Sequence, residues 1–146
     1  KDAGIDGLII PDLPPEEGVE LEKYAKIKDI NLIYLLAPTS TPERIKMVTR
    51  RSTGFIYYIS LTGVTGARET IAEGLREKVA YIKEQTKIPV LIGFGISGPE
   101  QAAKAAEISD GVIVGSAIVK IIETNSDSTR REAVIKTFIN SLKKTI

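Results

Sequence analysis

The chain reads as short apolar runs separated by stretches in which apolar residues recur at helical spacing. The runs at residues 4–12 (GIDGLIIPD), 31–38 (NLIYLLAP), 55–60 (FIYYIS), 89–93 (PVLIG) and 110–115 (DGVIVG) lack polar alternation, which predicts strands buried on both faces. Leu13-Pro14-Pro15-Glu16-Glu17 predicts the start of a helix running to about residue 29, because proline suits a first turn and acidic side chains suit its positive end. Thr41-Pro42-Glu43 repeats the device, with a cap, a proline and an acidic first turn for a helix to about residue 51. A third helix is predicted from Glu69, with Leu75, Val79 and Ile82 on one face, and a fourth, alanine-rich helix behind a capping box of Ser97 and Glu100. Residues 117–123 predict a short extra helix. A last helix begins near Thr129, with Val134, Phe138, Leu142 and Ile146 as its apolar face.

Strands that alternate with helices in this way predict a parallel sheet, either open and doubly wound or closed as a (β/α)8 barrel. The Gly-x-Gly-x-x-Gly dinucleotide fingerprint reads as absent, with Gly98 counted one residue out of step with Gly93 and Gly95, which weakens the doubly wound alternative. The first and last runs echo each other, Asp6-Gly7-Leu8-Ile9-Ile10 against Asp110-Gly111-Val112-Ile113-Val114, as expected of a repeated β-α unit. The chain opens without methionine, at Lys1-Asp2-Ala3-Gly4, a start expected of a cut through a longer protein.

Composition narrows the chemistry. With 42% hydrophobic and 27% charged residues the sequence is that of a globular domain, and its 20 basic and 19 acidic residues are dispersed, so nothing predicts a nucleic-acid partner. Cysteine and histidine are both absent, which removes disulfides, Cys/His zinc sites and imidazole or thiolate catalysis; proton transfer then falls to carboxylates, tyrosine or lysine. No apolar run is long enough to span a bilayer and no signal pattern opens the chain, so the expectation is a cytoplasmic protein without a membrane partner.

In a parallel barrel the strand ends form the rim that carries active sites, and Asp12, Thr39, the loop from Ser60 to Gly66, Gly93, Gly95, Gly115 and Ser116 fall there. The loop Ser60-Leu61-Thr62-Gly63-Val64-Thr65-Gly66-Ala67-Arg68 combines glycines with hydroxyl side chains, a backbone able to approach an anion; the plain alternative is a surface turn. A glycine loop after one strand, followed by Gly115-Ser116 opening an extra helix after the next, is an arrangement by which barrels hold phosphate on backbone N–H groups and a helix dipole. Gly66, Gly95, Gly115 and Ser116 would supply that cradle, with ordinary tight turns as the alternative. Of the adjacent Tyr57 and Tyr58, one points into the barrel and the other towards the helices. Phe94 is either a stacking surface for an aromatic substrate or a plug between barrel layers, Asp12 a rim base or a helix cap, and Lys120 a phosphate counter-charge or a solvated lysine.

Pro11-Asp12-Leu13-Pro14, Ser60-Leu61-Thr62-Gly63-Val64-Thr65-Gly66, Gly93-Phe94-Gly95-Ile96-Ser97 and Gly115-Ser116-Ala117-Ile118-Val119-Lys120, in this order and spacing, resemble the tryptophan synthase alpha subunit family over essentially the whole chain. The resemblance implies an α/β fold, a (β/α)8 TIM barrel of which residues 1–146 are the last five β-α units (strands 4 to 8) of a single domain, the first three units being absent from the sequence. It implies retro-aldol cleavage of indole-3-glycerol phosphate to indole and glyceraldehyde 3-phosphate, a lyase step of tryptophan biosynthesis, without metal or organic cofactor. It also implies an alpha2beta2 complex whose beta subunit carries pyridoxal phosphate. Residue by residue, the resemblance makes Gly66, Gly95, Gly115 and Ser116 the phosphate cradle and places Phe94, Ile113 and Ile9 around the indole. Tyr57 becomes the inward tyrosine near the reacting carbons, Thr65 part of a mobile loop that touches a catalytic carboxylate, and Asp12 and Pro14 part of the rim facing the beta subunit.

One departure stands out. The family's catalytic glutamate and aspartate come from the second strand and the loop after it, and the strand ends of this sequence offer no matching glutamate. The chain alone is therefore expected to be inactive, and five parallel strands with two bare edges are not expected to close a barrel. Two other readings stay open: a different phosphate-binding barrel enzyme, such as a phosphosugar isomerase or a thiamin phosphate synthase, and a non-catalytic half-barrel that keeps only the cradle. The first accounts for Gly95 and Ser116 but not for Gly63-Val64-Thr65-Gly66.

Overall fold

Each apolar run forms a strand, and the second forms two. The computed structural model describes residues 1–60, 69–93 and 95–146, with the side chains of all but residues 69–73. Strands β1 (Gly7–Ile9), β2 (Asn31–Ile33), β3 (Leu35–Leu36), β4 (Ile56–Ile59), β5 (Val90–Gly93) and β6 (Gly111–Ile113) follow one another in chain order, each parallel to the neighbour it pairs with. β1 pairs with β2, and β3 to β6 form a four-stranded sheet, so the chain passes from one ladder to the other at Tyr34. Backbone groups at this break find partners: Tyr57 N donates to Tyr34 O at 3.2 Å, Leu32 N to Thr53 Oγ1 at 2.8 Å and Tyr34 N to Ser52 Oγ at 3.4 Å.

Contrary to expectation, Gly93, Gly95 and Gly98 stand at the full Gly-x-Gly-x-x-Gly spacing, with no residue out of step. What argues against the doubly wound sheet is the strand order, which runs β3-β4-β5-β6 without the reversal that marks a dinucleotide crevice.

The connections are helices α1 (Val19–Ile27), α2 (Pro42–Arg51), α3 (Glu69–Glu84) and α4 (Pro99–Ala106); α5 (Ser116–Thr124) and α6 (Ser128–Lys143) both follow β6. Thr41 caps α2 as predicted, its hydroxyl accepting from Arg44 N at 3.2 Å, and Asp127 caps α6, accepting from Arg130 N at 2.7 Å. Three expectations fail. The first helix opens as a 3-10 turn (Pro15–Glu17) whose N-cap is Pro14, without a side-chain cap bond, so Asp12 is not its cap and α1 begins only at Val19. Pro99 is the first residue of α4 and makes Gly98 its N-cap, which puts Ser97 outside the capping box; the Ser97 hydroxyl donates to Gln101 Oε1 at 2.8 Å while Glu100 pairs with Lys104 at 3.0 Å. α6 stops at Lys143, leaving Ile146 exposed rather than on its apolar face.

Alternation along the strands sorts side chains to two faces. Leu32, Tyr34, Leu36, Ile56, Tyr58, Val90 and Ile92 point to the helices and are buried against Ile45, Val48, Val79, Ile82, Ala102 and Ala105. This layer is the core, each buried Ile or Val contributing about 1.5 to 3 kcal/mol. The opposite, concave face carries Ile9, Ile33, Leu35, Tyr57, Ile59, Leu91 and Ile113, interrupted by glycines on which neighbouring side chains lie. Ile33 Cδ1 comes within 2.9 Å of where a Gly7 Cβ would be, and Leu91 Cδ2 within 2.9 Å of a Gly111 Cβ. The two Asp-Gly echoes are thus equivalent seats for a neighbour's side chain.

Candidate active site

Strand register decides which loops meet. Ile59, Gly93 and Ile113 form one row across β4, β5 and β6, and Ser60 N extends the pairing by donating to Gly93 O at 3.0 Å. Gly95 and Gly115 each lie two residues beyond that row, so the loop after β5 and the first turn of α5 share one rim. Gly95 has φ 77°, a conformation natural to glycine, and is exposed. Gly115 is the N-cap of α5, and among the described residues a Cβ there would meet nothing within 4 Å. Its small size leaves space above the first turn of a helix, where N–H groups and the dipole favour an anion. Ser116, the first residue of α5, is exposed at the same place, as is Lys120 one turn on.

Tyr57 projects onto the concave face, and its ring crosses Gly93, whose Cβ would lie 2.5 Å from Cε2 and 2.6 Å from Oη. Burial raises its pKa, so the phenol remains a proton-bearing donor at neutral pH. Tyr58 points to the helices, fully buried, with burial pushing it up to about 12.

Ile9 and Ile113 share the concave face but stand on its two outer strands, Ile9 exposed and Ile113 half-buried. Asp12 and Pro14 lie on the rim beyond β1, in the wall of a cleft of about 330 Å³ that also includes Ser40, Arg44, Leu35 and Ile59. Since Leu35 and Ile59 belong to the concave face, this cleft joins the rim loop to the barrel interior. Arg44 Nη1 to Glu16 Oε2, 2.7 Å, ties the two walls together. Thr65 and Gly66, with the rest of residues 61–68, and Phe94 lie outside the described residues. Sequence reasoning did not single out Leu35, Ile59 and Leu91; a count of two along each strand and across its register from Tyr57 finds them. Among the described residues no cluster of acidic side chains is placed to hold a metal ion, and no helix is long and apolar enough to cross a membrane.

The fold and this rim define the chain as part of a (β/α)8 barrel whose strand-end loops form its candidate site. A family model described as tryptophan synthase alpha chain matches residues 1–146, and the chain belongs to that family. It is 47% identical over 146 residues to the tryptophan synthase alpha chain of Geobacter sulfurreducens, covering 99% of this chain and 54% of the relative. With that of Methanocaldococcus jannaschii it shares 49% over 127 residues, 87% of this chain and 45% of the other. Among solved structures, the tryptophan synthase subunit alpha of Campylobacter jejuni superposes with a TM-score of 0.82 at 30% identity, over 99% of this chain and 55% of that one. The chain spans about half the length of the curated relatives it matches.

Proposed function

We propose that residues 1–146 supply the phosphate-holding half of a tryptophan synthase alpha subunit, a lyase that cleaves indole-3-glycerol phosphate to indole and glyceraldehyde 3-phosphate. The observation that carries the reading is the shared rim: exposed Gly95 and Gly115-Ser116 two residues beyond the row Gly93–Ile113, with Tyr57 on the concave face beside them. In this proposal the N–H groups at Gly95, Gly115 and Ser116, with Gly66, hold the phosphate of the glycerol chain. That anchor directs the indole into the apolar concave face, between Ile9 and Ile113, with Phe94 over it. Tyr57 stands by the reacting carbons, and Thr65 orders the loop that shuts out water.

Cleaving the carbon–carbon bond between indole and glycerol requires a proton delivered to the ring carbon and another taken from a chain hydroxyl. Asp12, the acidic side chain at the described strand ends, is exposed on the rim. The acid and base therefore come, in this proposal, from residues outside this chain, and residues 1–146 alone form no indole. No metal or organic cofactor takes part; pyridoxal phosphate belongs to a beta partner that docks on the rim at Asp12 and Pro14, in the cytoplasm.

Calorimetry with indole-propanol phosphate and with inorganic phosphate tests the reading. Much tighter binding of the indole compound by a complete alpha subunit containing these residues supports it. Equal, weak binding of both would favour a bare anion site, and indole formation by the 146-residue chain alone would overturn the assignment of the acid and base.

A further inference from the structure

Tyr34, where the chain changes ladder, sends its side chain away from the concave face and under α1, with 2% of its surface exposed. Its hydroxyl donates to Glu22 Oε1 at 2.7 Å, and the same oxygen accepts from Arg51 Nε at 2.7 Å. The Arg51 guanidinium lies 6.0 Å from the ring centre. Burial, then the Glu22 bond and charge, push the phenol up to about 12, so it remains a donor at any physiological pH. Arg51 Nη2 is buried with no hydrogen-bond partner among the described residues, so the guanidinium is held there by Glu22 and the ring rather than by bonds to all of its own N–H groups.

The hydroxyl also meets the main chain. Gly18 has φ −77°, which any residue adopts, so glycine is needed there for space: a Cβ would overlap the Tyr34 hydroxyl and lie 2.9 Å from Cζ. Gly18 is the joint between the turn Pro15–Glu17 and α1, its N–H donating to Pro15 O at 3.0 Å and its carbonyl accepting from Glu22 N at 2.9 Å. The rim loop that carries Asp12 and Pro14 hangs from this joint, with Pro15 buried and Glu16 bound to Arg44.

We propose that Tyr34, Glu22 and Arg51 are positioning residues for the rim loop after β1: lodged in the notch at Gly18, they set how residues 11–17 leave α1 and so present Asp12 and Pro14 to the beta partner. This rests on the proposed function, in which that loop faces the partner. None of the three side chains lies on the concave face, so partner binding and substrate binding separate. In a complete alpha subunit containing these residues, Tyr34→Phe weakens beta-partner binding by roughly threefold to tenfold, while KM for indole-3-glycerol phosphate measured without the partner is unchanged. Gly18→Ala weakens partner binding further, and adding Tyr34→Phe to it recovers part of the loss, because the overlapping oxygen is gone and Cζ at 2.9 Å becomes the nearest ring atom. Amide exchange at Glu17 and Gly18, which donate to Pro14 O and Pro15 O, quickens in both single variants. Unchanged partner affinity in Tyr34→Phe and Gly18→Ala, whether or not exchange quickens, overturns the proposal when Asp12→Ala with Pro14→Gly does weaken the complex. Should that pair of rim substitutions leave the complex as tight as before, the partner-facing reading of the loop fails, and the proposal with it.

Discussion

The Tyr57 ring occupies the space that any side chain on Gly93 would need, with Cε2 2.5 Å, Oη 2.6 Å and Cζ 2.8 Å from a Cβ built there. Two adjacent strands thus share one volume on the concave face, and a glycine on β5 fixes a tyrosine on β4. Gly93→Ala is expected to drive the phenol out of position and lower indole-forming activity of a complete alpha subunit by about tenfold to a hundredfold, since displacements near 1 Å have that effect on reacting groups. Trimming the ring, as in Tyr57→Leu, removes the overlap, so the double variant should bind indole-propanol phosphate better than Gly93→Ala alone. Calorimetry on the four proteins of the cycle checks this; additive losses would mean that the two residues act separately.

Gly115 offers a test of the phosphate cradle that leaves the fold intact. Its φ of −115° is negative and a Cβ would meet none of the described residues within 4 Å, so Gly115→Asp places a carboxylate at the N-terminus of α5, where its charge suits the helix dipole. Stability should be unchanged or slightly higher. Affinity for a phosphate ligand should fall by at least about tenfold, because like charges some 4 Å apart repel by roughly 1 to 4 kcal/mol. An unaltered phosphate affinity would return this loop to the class of ordinary turns.

Gly95 is demanding in another way, because its φ of 77° is a region that side chains enter at a cost. Gly95→Ala should destabilise the protein by about 1 to 2 kcal/mol in urea unfolding and weaken phosphate binding with it. Paired with Gly115→Asp it separates a conformational requirement from an electrostatic one at neighbouring points of the rim.

Much of the fold was legible because burial on both faces writes itself as unbroken apolar runs, and because the Thr41-Pro42 helix start has a direct physical reading. The Asp-Gly echo was visible, though its purpose, glycines that seat Ile33 and Leu91, needed the register. The division of the run 31–38 into two ladders was not legible, since Tyr34 is as apolar in context as its neighbours and the break depends on Ser52 and Thr53 from another loop. Pro99 carries a local signal of its own: a proline inside the expected first turn moves the start of α4 to itself and takes Ser97 out of the capping position. At the site, Tyr57 and Tyr58 were indistinguishable by composition; apart from the family resemblance, it is the burial of Tyr58 in the core and the glycine across the sheet that show which ring turns inward. The Tyr34–Glu22–Arg51 cluster joins residues 12 and 29 positions apart in sequence, beyond any local pattern.

The acid limb of stability should depend on Asp110. One carboxylate oxygen accepts from Lys83 Nζ at 2.6 Å and the other from Val90 N at 2.9 Å, so this side chain fastens α3 and the start of β5 to the head of β6. Burial works to raise its pKa, but the bonds from Lys83 and Val90 and the lysine's charge together outweigh it, and the folded protein holds the group below its ordinary value of 3.8. A carboxyl that protonates less readily folded than unfolded contributes stability that is complete above the unfolded value and is lost as pH falls through the folded one. The loss therefore falls in the acid range below about pH 4, and it is small, under about 1 kcal/mol, because both partners are more than a third exposed and screened by water. Asp110→Asn lacks this titration, so urea-unfolding free energies measured from about pH 6 to about pH 2 should decline less steeply in the variant than in the parent. Equal slopes would show that the ion pair at the head of β6 has the same protonation behaviour in both states and takes no part in acid unfolding.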